Sequence, residues 1–215
     1  MKICFLSLLF FITINSTFAQ VSLFDRNKAV ALINQASAEV KAQNYSPAIV
    51  KLKTAIKLDS SQRAAFTLIN QAFYETGNRD SQVKYLNKAK SIYTDDDEFP
   101  YHLGKLYQKE NNLEAAICEY NTAIKFSKIN GEDYEIVYDY YANRGICFLK
   151  QNLYTEAVND FDYAIKLNDM KGSIYANRGI ALFQMKKKEE ACKSWERALE
   201  LGQSSVELYL TMYCK

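Results

Sequence analysis

A period of 34 residues runs through most of this 215-residue chain and restricts the folds that are open to it. Alanines recur at this interval late in each unit, with one step of 41 where seven residues are inserted. This column of alanines reads Ala55, Ala89, Ala123, Ala164 and Ala198. Three further columns keep the same period and share the same insertion. A period of roughly 20 to 50 residues indicates an array of stacked structural units.

Each unit contains two stretches with the pattern of an amphipathic helix. In the last full unit, apolar residues recur every three or four positions over residues 174–185 and 189–201, as a helix requires. The turns between paired stretches carry Gly77-Asn78, Asn111-Asn112 and Gln151-Asn152, and Gly or Asn can take the left-handed conformation that ends a helix. The chain has only 7 Gly and 2 Pro, which disfavours a sheet-rich fold. The sequence therefore predicts antiparallel helical hairpins.

The remaining columns pair small residues with bulky ones, which predicts close helix packing. The small position on the first helix holds Ala36, Asn70, Gly104, Gly145 and Gly179, and that on the second helix holds Ala48, Gln82, Ala116, Ala157 and Ala191. The bulky column reads Leu52, Leu86, Tyr120, Phe161 and Trp195. Gly or Ala lets two helix backbones approach, and the bulky residue fills the space alongside. Asn70 predicts looser packing in the second unit, and Gln82 is the one departure from its column.

The motif Tyr141-x-x-Arg144-Gly145-x-x-Phe148, followed by Ala157-x-x-x-Phe161-x-x-Ala164, resembles the tetratricopeptide repeat. The resemblance implies an all-α fold, a right-handed superhelical array of about five helical hairpins. We assign a repeat domain to residues 20–205, with repeats at about 29–62, 63–96, 97–137, 138–171 and 172–205. Residues 206–215 are expected to form a capping helix over the last apolar face.

The first 19 residues have the parts of a secretory signal peptide. Lys2 precedes an apolar run over residues 3–14, and Thr17 and Ala19 provide small residues before a cleavage site. The run is shorter than the about 20 apolar residues that a membrane-spanning helix needs. We expect cleavage after Ala19 and export to the periplasm or the medium, with no integral membrane span in the mature chain.

Charge and composition argue against an enzyme or a nucleic-acid-binding protein. The 27 basic and 25 acidic residues nearly balance, and no basic cluster exceeds Lys186-Lys187-Lys188. The chain has one histidine, His102, which we expect on the surface or in a groove, and sites that need several imidazoles lack ligands. Residues 95–98 are acidic and precede a helix, where we expect them to cap it rather than to bind calcium. We expect no catalysis, no cofactor and no metal.

Four cysteines remain after removal of the signal peptide, and their spacing predicts two disulfides. Cys192 and Cys214 are 22 residues apart, and Cys118 and Cys147 are also 22 apart once the seven inserted residues are subtracted. Each pair joins a second helix to the first helix of the next unit. Because exported chains form disulfides, we predict the bridges Cys118–Cys147 and Cys192–Cys214. The alternative is that all four are small buried side chains.

The resemblance also implies a concave wall that is built from the first helices of the array. Register places on this wall Ile33, Ser37, Thr67, Gln71, Tyr101, Lys105, Asn143, Ile146, Asn177 and Ile180. In related proteins, Asn at the positions of Asn143 and Asn177 often bonds the backbone of a bound peptide; an ordinary solvated Asn is the alternative. The family's clamp for chaperone carboxylates is not expected, since only Asn143 matches its five positions.

The inserted residues and their flanks, residues 127–141, are a second candidate interface and are called the insertion below. Seven residues equal about two helical turns, so a flanking helix is expected to lengthen. Tyr134, Tyr138 and Tyr141 would then share one face, and Tyr is favoured at interfaces. We predict a partner interface at Tyr134 and Tyr138, and the alternative is that these rings pack against the neighbouring hairpin.

Together these features predict a non-enzymatic adaptor or scaffold of the bacterial cell envelope that binds another protein or a peptide, and no nucleic acid. The alternative function is that of a structural component of a secretion or outer-membrane assembly complex.

Overall fold

The computed structural model describes residues 21–132 and 135–215. The expected signal peptide and Tyr134 lie outside the described residues, so both predictions about them stay predictions. Within the described part of the chain, every regular element is helical, and no helix is long and apolar enough to cross a membrane.

Over the described residues, ten helices form five consecutive hairpins, and an eleventh follows a short 3-10 turn. The hairpins are α1 Leu23–Lys41 with α2 Tyr45–Leu58, α3 Arg63–Glu75 with α4 Arg79–Ile92, α5 Glu98–Lys109 with α6 Leu113–Asn130, α7 Val137–Lys150 with α8 Tyr154–Leu167, and α9 Gly172–Gln184 with α10 Lys188–Glu200. The 3-10 turn is Ser204–Val206, and α11 is Glu207–Tyr213. The predicted all-α array with a C-terminal capping helix is confirmed.

One residue with a positive φ closes the first helix of every hairpin. These residues are Gln43 (61°), Gly77 (66°), Asn111 (59°), Asn152 (62°) and Lys186 (65°). They follow the sequence period and its single insertion. The predicted left-handed turns are confirmed at Gly77, Asn111 and Asn152, where Gly and Asn tolerate this conformation. Gln43 and Lys186 adopt it without such a residue type, because the surrounding hairpin geometry requires it.

The predicted pairing of small and bulky columns forms the core between the helices of each hairpin. A Cβ on Gly179 would lie 2.3 Å from Nε1 of Trp195, and a Cβ on Gly104 would lie 2.6 Å from the ring of Tyr120. Both rings are fully buried. Only glycine therefore fits these positions beside a large aromatic residue.

The second hairpin departs from this pattern, as the sequence predicted. α3 and α4 pack less extensively than the helices of the other four hairpins. Asn70 and Gln82 stand at the two small positions, and Nε2 of Gln82 donates a hydrogen bond to Oδ1 of Asn70 over 2.8 Å. Looser helix packing here makes room for a buried amide pair.

The insertion mainly lengthens one helix. α6 has 18 residues, whereas the other second helices have 13 or 14. The rest of the insertion lies between α6 and α7. Its C-terminal side is held to the preceding hairpin by Tyr140, whose hydroxyl donates to Oδ2 of Asp97 over 2.8 Å.

The acidic run before α5 caps that helix. Oδ1 of Asp96 accepts hydrogen bonds from the backbone N–H groups of Glu98 (3.0 Å) and Phe99 (3.3 Å). Oδ2 of Asp96 accepts from Nε of Arg63 over 2.6 Å, which ties α5 to α3. The capping prediction is confirmed, and over residues 21–132 and 135–215 no cluster of three or more metal-ligating side chains occurs.

The capping helix covers the last apolar face. The Tyr209 ring stacks on Trp195 with centroids 5.0 Å apart, and the Tyr213 ring lies 4.5 Å from Phe183. A disulfide joins Cys192 of α10 to Cys214, with the Cα atoms 5.6 Å apart. The structure therefore contains the second of the two predicted bridges.

The other predicted bridge, Cys118–Cys147, is wrong: both cysteines are free thiols, with Cys118 exposed and Cys147 buried. Equal spacing is not equal register. Cys192 follows the small residue Ala191 by one position, whereas Cys118 follows Ala116 by two. One residue rotates a side chain by about 100° around a helix, so Cys118 points to solvent. Cys147 is likewise one position beyond the place that matches Cys214.

Candidate binding groove

A cavity of about 620 Å³ lies along the first helices of the second, third and fourth hairpins. α3, α5 and α7 supply most of its lining, and α4 adds one residue. The lining residues are Thr67, Asn70, Gln71, Tyr74, Gln82, His102, Lys105, Leu106, Gln108, Lys109, Asn143 and Lys150. We call this cavity the main groove.

A smaller cavity of about 220 Å³ adjoins the main groove across Asn143, which lines both. Residues of α7 and α9 form its walls, together with Lys171 and Phe161. The predicted wall residues Ile146 and Asn177 lie here. The two cavities follow one another along the array, as an extended ligand that crosses several first helices would require.

Of the eight residues predicted to bind on the concave face, six line these cavities: Thr67, Gln71, Lys105, Asn143, Ile146 and Asn177. Their role in binding stays a prediction. Two lie elsewhere. Ile180 is half-buried in the C-terminal core, and Tyr101 is 3% exposed.

Tyr101 is a core residue because the insertion brings aromatic residues against it. Its ring lies 4.8 Å from that of Tyr140, and its hydroxyl donates to Oδ2 of Asp139 over 3.3 Å. Burial and the nearby carboxylate raise the pKa of Tyr101 above its usual range. The placement of Tyr101 on the accessible wall was therefore wrong.

The predicted peptide-binding residues Asn143 and Asn177 differ in how many of their side-chain hydrogen-bonding groups are free. Nδ2 of Asn143 donates to the backbone carbonyl of Asp139 over 2.8 Å, which orients the side chain. Oδ1 of Asn143 accepts no hydrogen bond from another described residue. The side-chain amide of Asn177 neither donates a hydrogen bond to a described residue nor accepts one from it. Both side chains therefore keep the capacity to bond a peptide backbone.

His102 lines the main groove, in agreement with its predicted surface or groove position. The side chain is half-buried, and burial, followed by the nearby Lys105 charge, lowers the pKa of His102 to about 4. The ring is therefore neutral near pH 7 and offers one donor and one acceptor.

The main groove carries positive charge. Lys105, Lys109 and Lys150 line it, all three exposed, and none of the described residues that line it is a carboxylate. The charge of Lys105 acts on Asp139, which lines the adjoining cavity and accepts a hydrogen bond from the Tyr101 hydroxyl. The charged lining was missed from the sequence, although Lys109 follows Lys105 by one helical turn.

The insertion contributes Tyr138 to the smaller cavity, where Nζ of Lys171 lies 5.4 Å from its ring centroid. Tyr141 does not share this accessible face. It is 4% exposed, its ring lies 4.3 Å from that of Tyr163, and its hydroxyl donates to Oε1 of Glu132 over 2.6 Å. The packing alternative therefore describes Tyr141, and the interface at Tyr134 and Tyr138 stays a prediction.

Comparison with known families identifies the repeat unit. Residues 101–130 and 172–204 match family models that are each described as a tetratricopeptide repeat. The chain contains tetratricopeptide repeats. No curated protein is significantly similar to it in sequence.

Solved structures share the fold of this tetratricopeptide array. A crystal structure of MamA is 18% identical with a TM-score of 0.71, and the match covers 84% of this chain and 95% of MamA. YrrB, a tetratricopeptide protein with an unusual peptide-binding site, is 17% identical with a TM-score of 0.66, covering 80% of this chain and 86% of YrrB. At such identities the likeness establishes the fold alone. Tetratricopeptide repeats, which two segments of this chain match, are typical of non-enzymatic protein-interaction scaffolds.

Proposed function

We propose that this chain is a non-enzymatic adaptor of the bacterial cell envelope, which binds another protein or a peptide along the main groove and the adjoining cavity. The observation that carries the proposal is the groove itself. It is formed by the first helices of consecutive hairpins and is lined by polar side chains with unused hydrogen-bonding groups.

The shape of the groove supports a peptide or a protein segment as ligand. An extended chain has backbone donors and acceptors along its whole length, and amide side chains bond both kinds of group. Asn143 and Asn177 lie one repeat apart along this path. A relative in fold, YrrB, has a peptide-binding site.

The envelope location rests on the N-terminal sequence. Residues 1–19 have the pattern of a signal peptide, and the Cys192–Cys214 bridge fits an oxidising compartment. Expression of the full chain followed by fractionation and intact-mass measurement tests this location. We expect a periplasmic or secreted species that begins at Gln20; a cytoplasmic species that retains residues 1–19 would overturn it.

Affinity capture from an envelope extract tests the adaptor function. The purified mature protein is compared with the variant Asn143→Ala/Asn177→Ala, and bound proteins are identified by mass spectrometry. We expect a specific partner that the double variant loses. A control variant, Asn87→Ala/Asn159→Ala, removes two exposed amides from second helices and is expected to keep the partner.

The alternative is a rigid component of a secretion or outer-membrane assembly complex, in contact through the ends of the array. Exposed apolar side chains favour it: Leu23 (72%) and Phe24 (74%) at the N-terminal end, and Leu208 (64%) and Met212 (59%) at the C-terminal end. If capture survives the loss of Asn143 and Asn177 and is lost with Leu208→Ser/Met212→Ser, the assembly role replaces the adaptor role.

A further inference from the structure

The main groove has two features that the repeat pattern does not explain. The first is its positive charge, because its described lining residues include three lysines and no carboxylate. The second is the buried amide pair Asn70–Gln82, which lines the groove. Every other repeat has Gly or Ala at both of these positions.

The amide pair has hydrogen-bonding groups to spare. The bond from Nε2 of Gln82 to Oδ1 of Asn70 uses one donor and one acceptor. Nδ2 of Asn70 and Oε1 of Gln82 have no hydrogen-bond partner among the described residues, and neither atom is sealed from solvent. Both side chains line the main groove. The pair therefore offers the groove the free NH2 group of Asn70 and the free carbonyl oxygen of Gln82, and these complement the acceptor and the donor of a peptide unit.

The lysines of the groove belong to the first helices of the two hairpins that follow this pair. Lys105 and Lys109 lie one turn apart on α5, and Lys150 ends α7. Nζ of Lys105 lies 5.3 Å from the centroid of the Tyr101 ring, so the ring holds its ammonium group at the groove. His102 is neutral near pH 7 and adds no charge. A ligand with negative charges complements this lining.

We propose that the main groove binds an acidic, extended peptide segment, with the Asn70–Gln82 pair bonding its backbone and Lys105, Lys109 and Lys150 binding its carboxylates. This inference rests on the proposed adaptor function and adds the chemistry of the partner. It differs from a terminal-carboxylate clamp, because the charges come from other positions and the carboxylates belong to side chains along the segment.

A labelled model peptide tests the charge preference. In an extended chain alternate side chains point to one side. A fluorescein-labelled peptide of alternating Glu and Ala, about eight residues long, therefore presents a row of carboxylates over about 20 Å. The matched neutral probe alternates Gln and Ala. We expect the Glu probe to bind the purified protein at least about tenfold more tightly by fluorescence anisotropy.

Variants of equal net charge locate the site. Lys105→Gln/Lys109→Gln/Lys150→Gln is expected to weaken binding of the Glu probe about tenfold. The control, Lys186→Gln/Lys187→Gln/Lys188→Gln, removes the same charge from exposed residues at the start of α10 and in the turn before it, and is expected to change affinity less than about twofold. Equal losses in both variants, or equal affinity for the Gln probe, would overturn the proposal.

The amide pair is tested with a substitution that the protein already tolerates elsewhere. Asn70→Ala/Gln82→Ala reproduces the first hairpin, where Ala36 and Ala48 accompany Leu52 as these residues accompany Leu86. We expect about fivefold weaker binding of the Glu probe, with a helical circular-dichroism spectrum equal to that of the unmodified protein. Unchanged affinity in this folded variant removes the amide pair from the site.

The two proposals fail separately. If envelope capture yields a partner that depends on Asn143 and Asn177 but the Glu probe does not bind, the acidic-peptide inference falls and the adaptor function stands. If capture yields no such partner and the Glu probe does not bind, both proposals are overturned. A labelled oligothymidylate that binds as tightly as the Glu probe, with the same loss in the lysine variant, would show a preference for polyanions in general and also overturn the inference.

Discussion

Gln82 and Asn70 form a hydrogen bond of 2.8 Å between two helices that elsewhere in the array touch through Gly and Ala. Both residues are buried, at 5% and 7% exposure. A buried polar group is costly unless it is paired, so each amide makes the other acceptable. The hairpin α3–α4 thus keeps its place in the array with a different contact between its helices.

This pairing predicts non-additive effects on stability. Asn70→Ala leaves Gln82 without its partner and is expected to lower the free energy of unfolding by about 1–2 kcal/mol. In Asn70→Ala/Gln82→Ala no amide is left unpaired, so the loss is expected to be smaller than the sum of the two single losses. Urea unfolding of all four proteins measures this coupling. Strict additivity would mean that the bond contributes nothing.

Gly179 is expected to be indispensable beside Trp195. The Cβ of Gly179→Ala would lie 2.3 Å from the indole, so the variant should lose about 2–3 kcal/mol of unfolding free energy. In a Trp195→Leu background, which copies the Leu column of the first two hairpins, the same alanine is expected to cost less than about 1 kcal/mol. Thermal or urea unfolding gives both values. An equal cost in the two backgrounds would contradict the steric explanation.

The turn residue Lys186 predicts a stabilising substitution. Its φ of 65° lies in the left-handed region, where a side chain costs about 1 kcal/mol relative to glycine. Lys186→Gly is therefore expected to raise the free energy of unfolding by about 0.5–1 kcal/mol. Lys193→Gly, at an exposed position in the interior of α10, serves as the control and is expected to lower it by a similar amount. A loss of stability in Lys186→Gly would show that its side chain contributes more than its backbone costs.

The cysteines predict two levels of thiol reactivity. Mature protein purified without reductant is expected to show two thiols after denaturation, from Cys118 and Cys147. In the native protein only exposed Cys118 should react at once, because burial raises the pKa of Cys147 to about 11 and shields its sulfur. Titration with a thiol reagent checks both statements. Four thiols would mean that Cys192 and Cys214 are unpaired, and none would restore the bridge between Cys118 and Cys147.

Removal of the Cys192–Cys214 bridge should weaken the end of the array. The Cys192→Ser/Cys214→Ser variant is expected to lose about 3 kcal/mol, because the bridge closes a loop of 22 residues in the unfolded chain. Urea unfolding measures this change, and Cys118→Ser serves as the control with little expected effect. If both variants unfold alike, the bridge does not stabilise the cap.

His102 predicts a loss of stability in mild acid. Burial lowers its pKa from 6.5 to about 4 in the folded protein, so between these pH values the unfolded chain binds a proton that the folded chain does not. Stability therefore falls as the pH drops from 6.5 towards 4, by about 2 kcal/mol from this group. The variant His102→Gln should lack this part of the pH dependence in urea unfolding. Identical profiles would mean that His102 titrates normally.

The sequence alone was sufficient for the array, because its determinants are local and periodic. Residue type at a fixed repeat predicts the five hairpins, three of the five left-handed turn residues, and the small and bulky columns. The acidic run 95–98 before α5 predicts a helix cap, and the apolar residues after the last repeat predict the C-terminal cap. The same register placed six of the eight wall residues beside the two cavities, since side chains on equivalent helices of stacked units face the same way.

Only the tertiary structure showed which way individual side chains point and which distant residues are in contact. A shift of one residue along a helix changes the first, and the sequence pattern does not give the second. Cys118 was assigned a partner from spacing, yet one residue of offset turns it about 100° away. Tyr101 was assigned to the wall, yet Tyr140 from the insertion buries it. Asn70 and Gln82 looked like two separate departures from the pattern, and only the fold brings them within hydrogen-bonding distance. Lysines from α5 and α7 also come together only in the fold. Their positions along the sequence do not show that these two helices line the same groove.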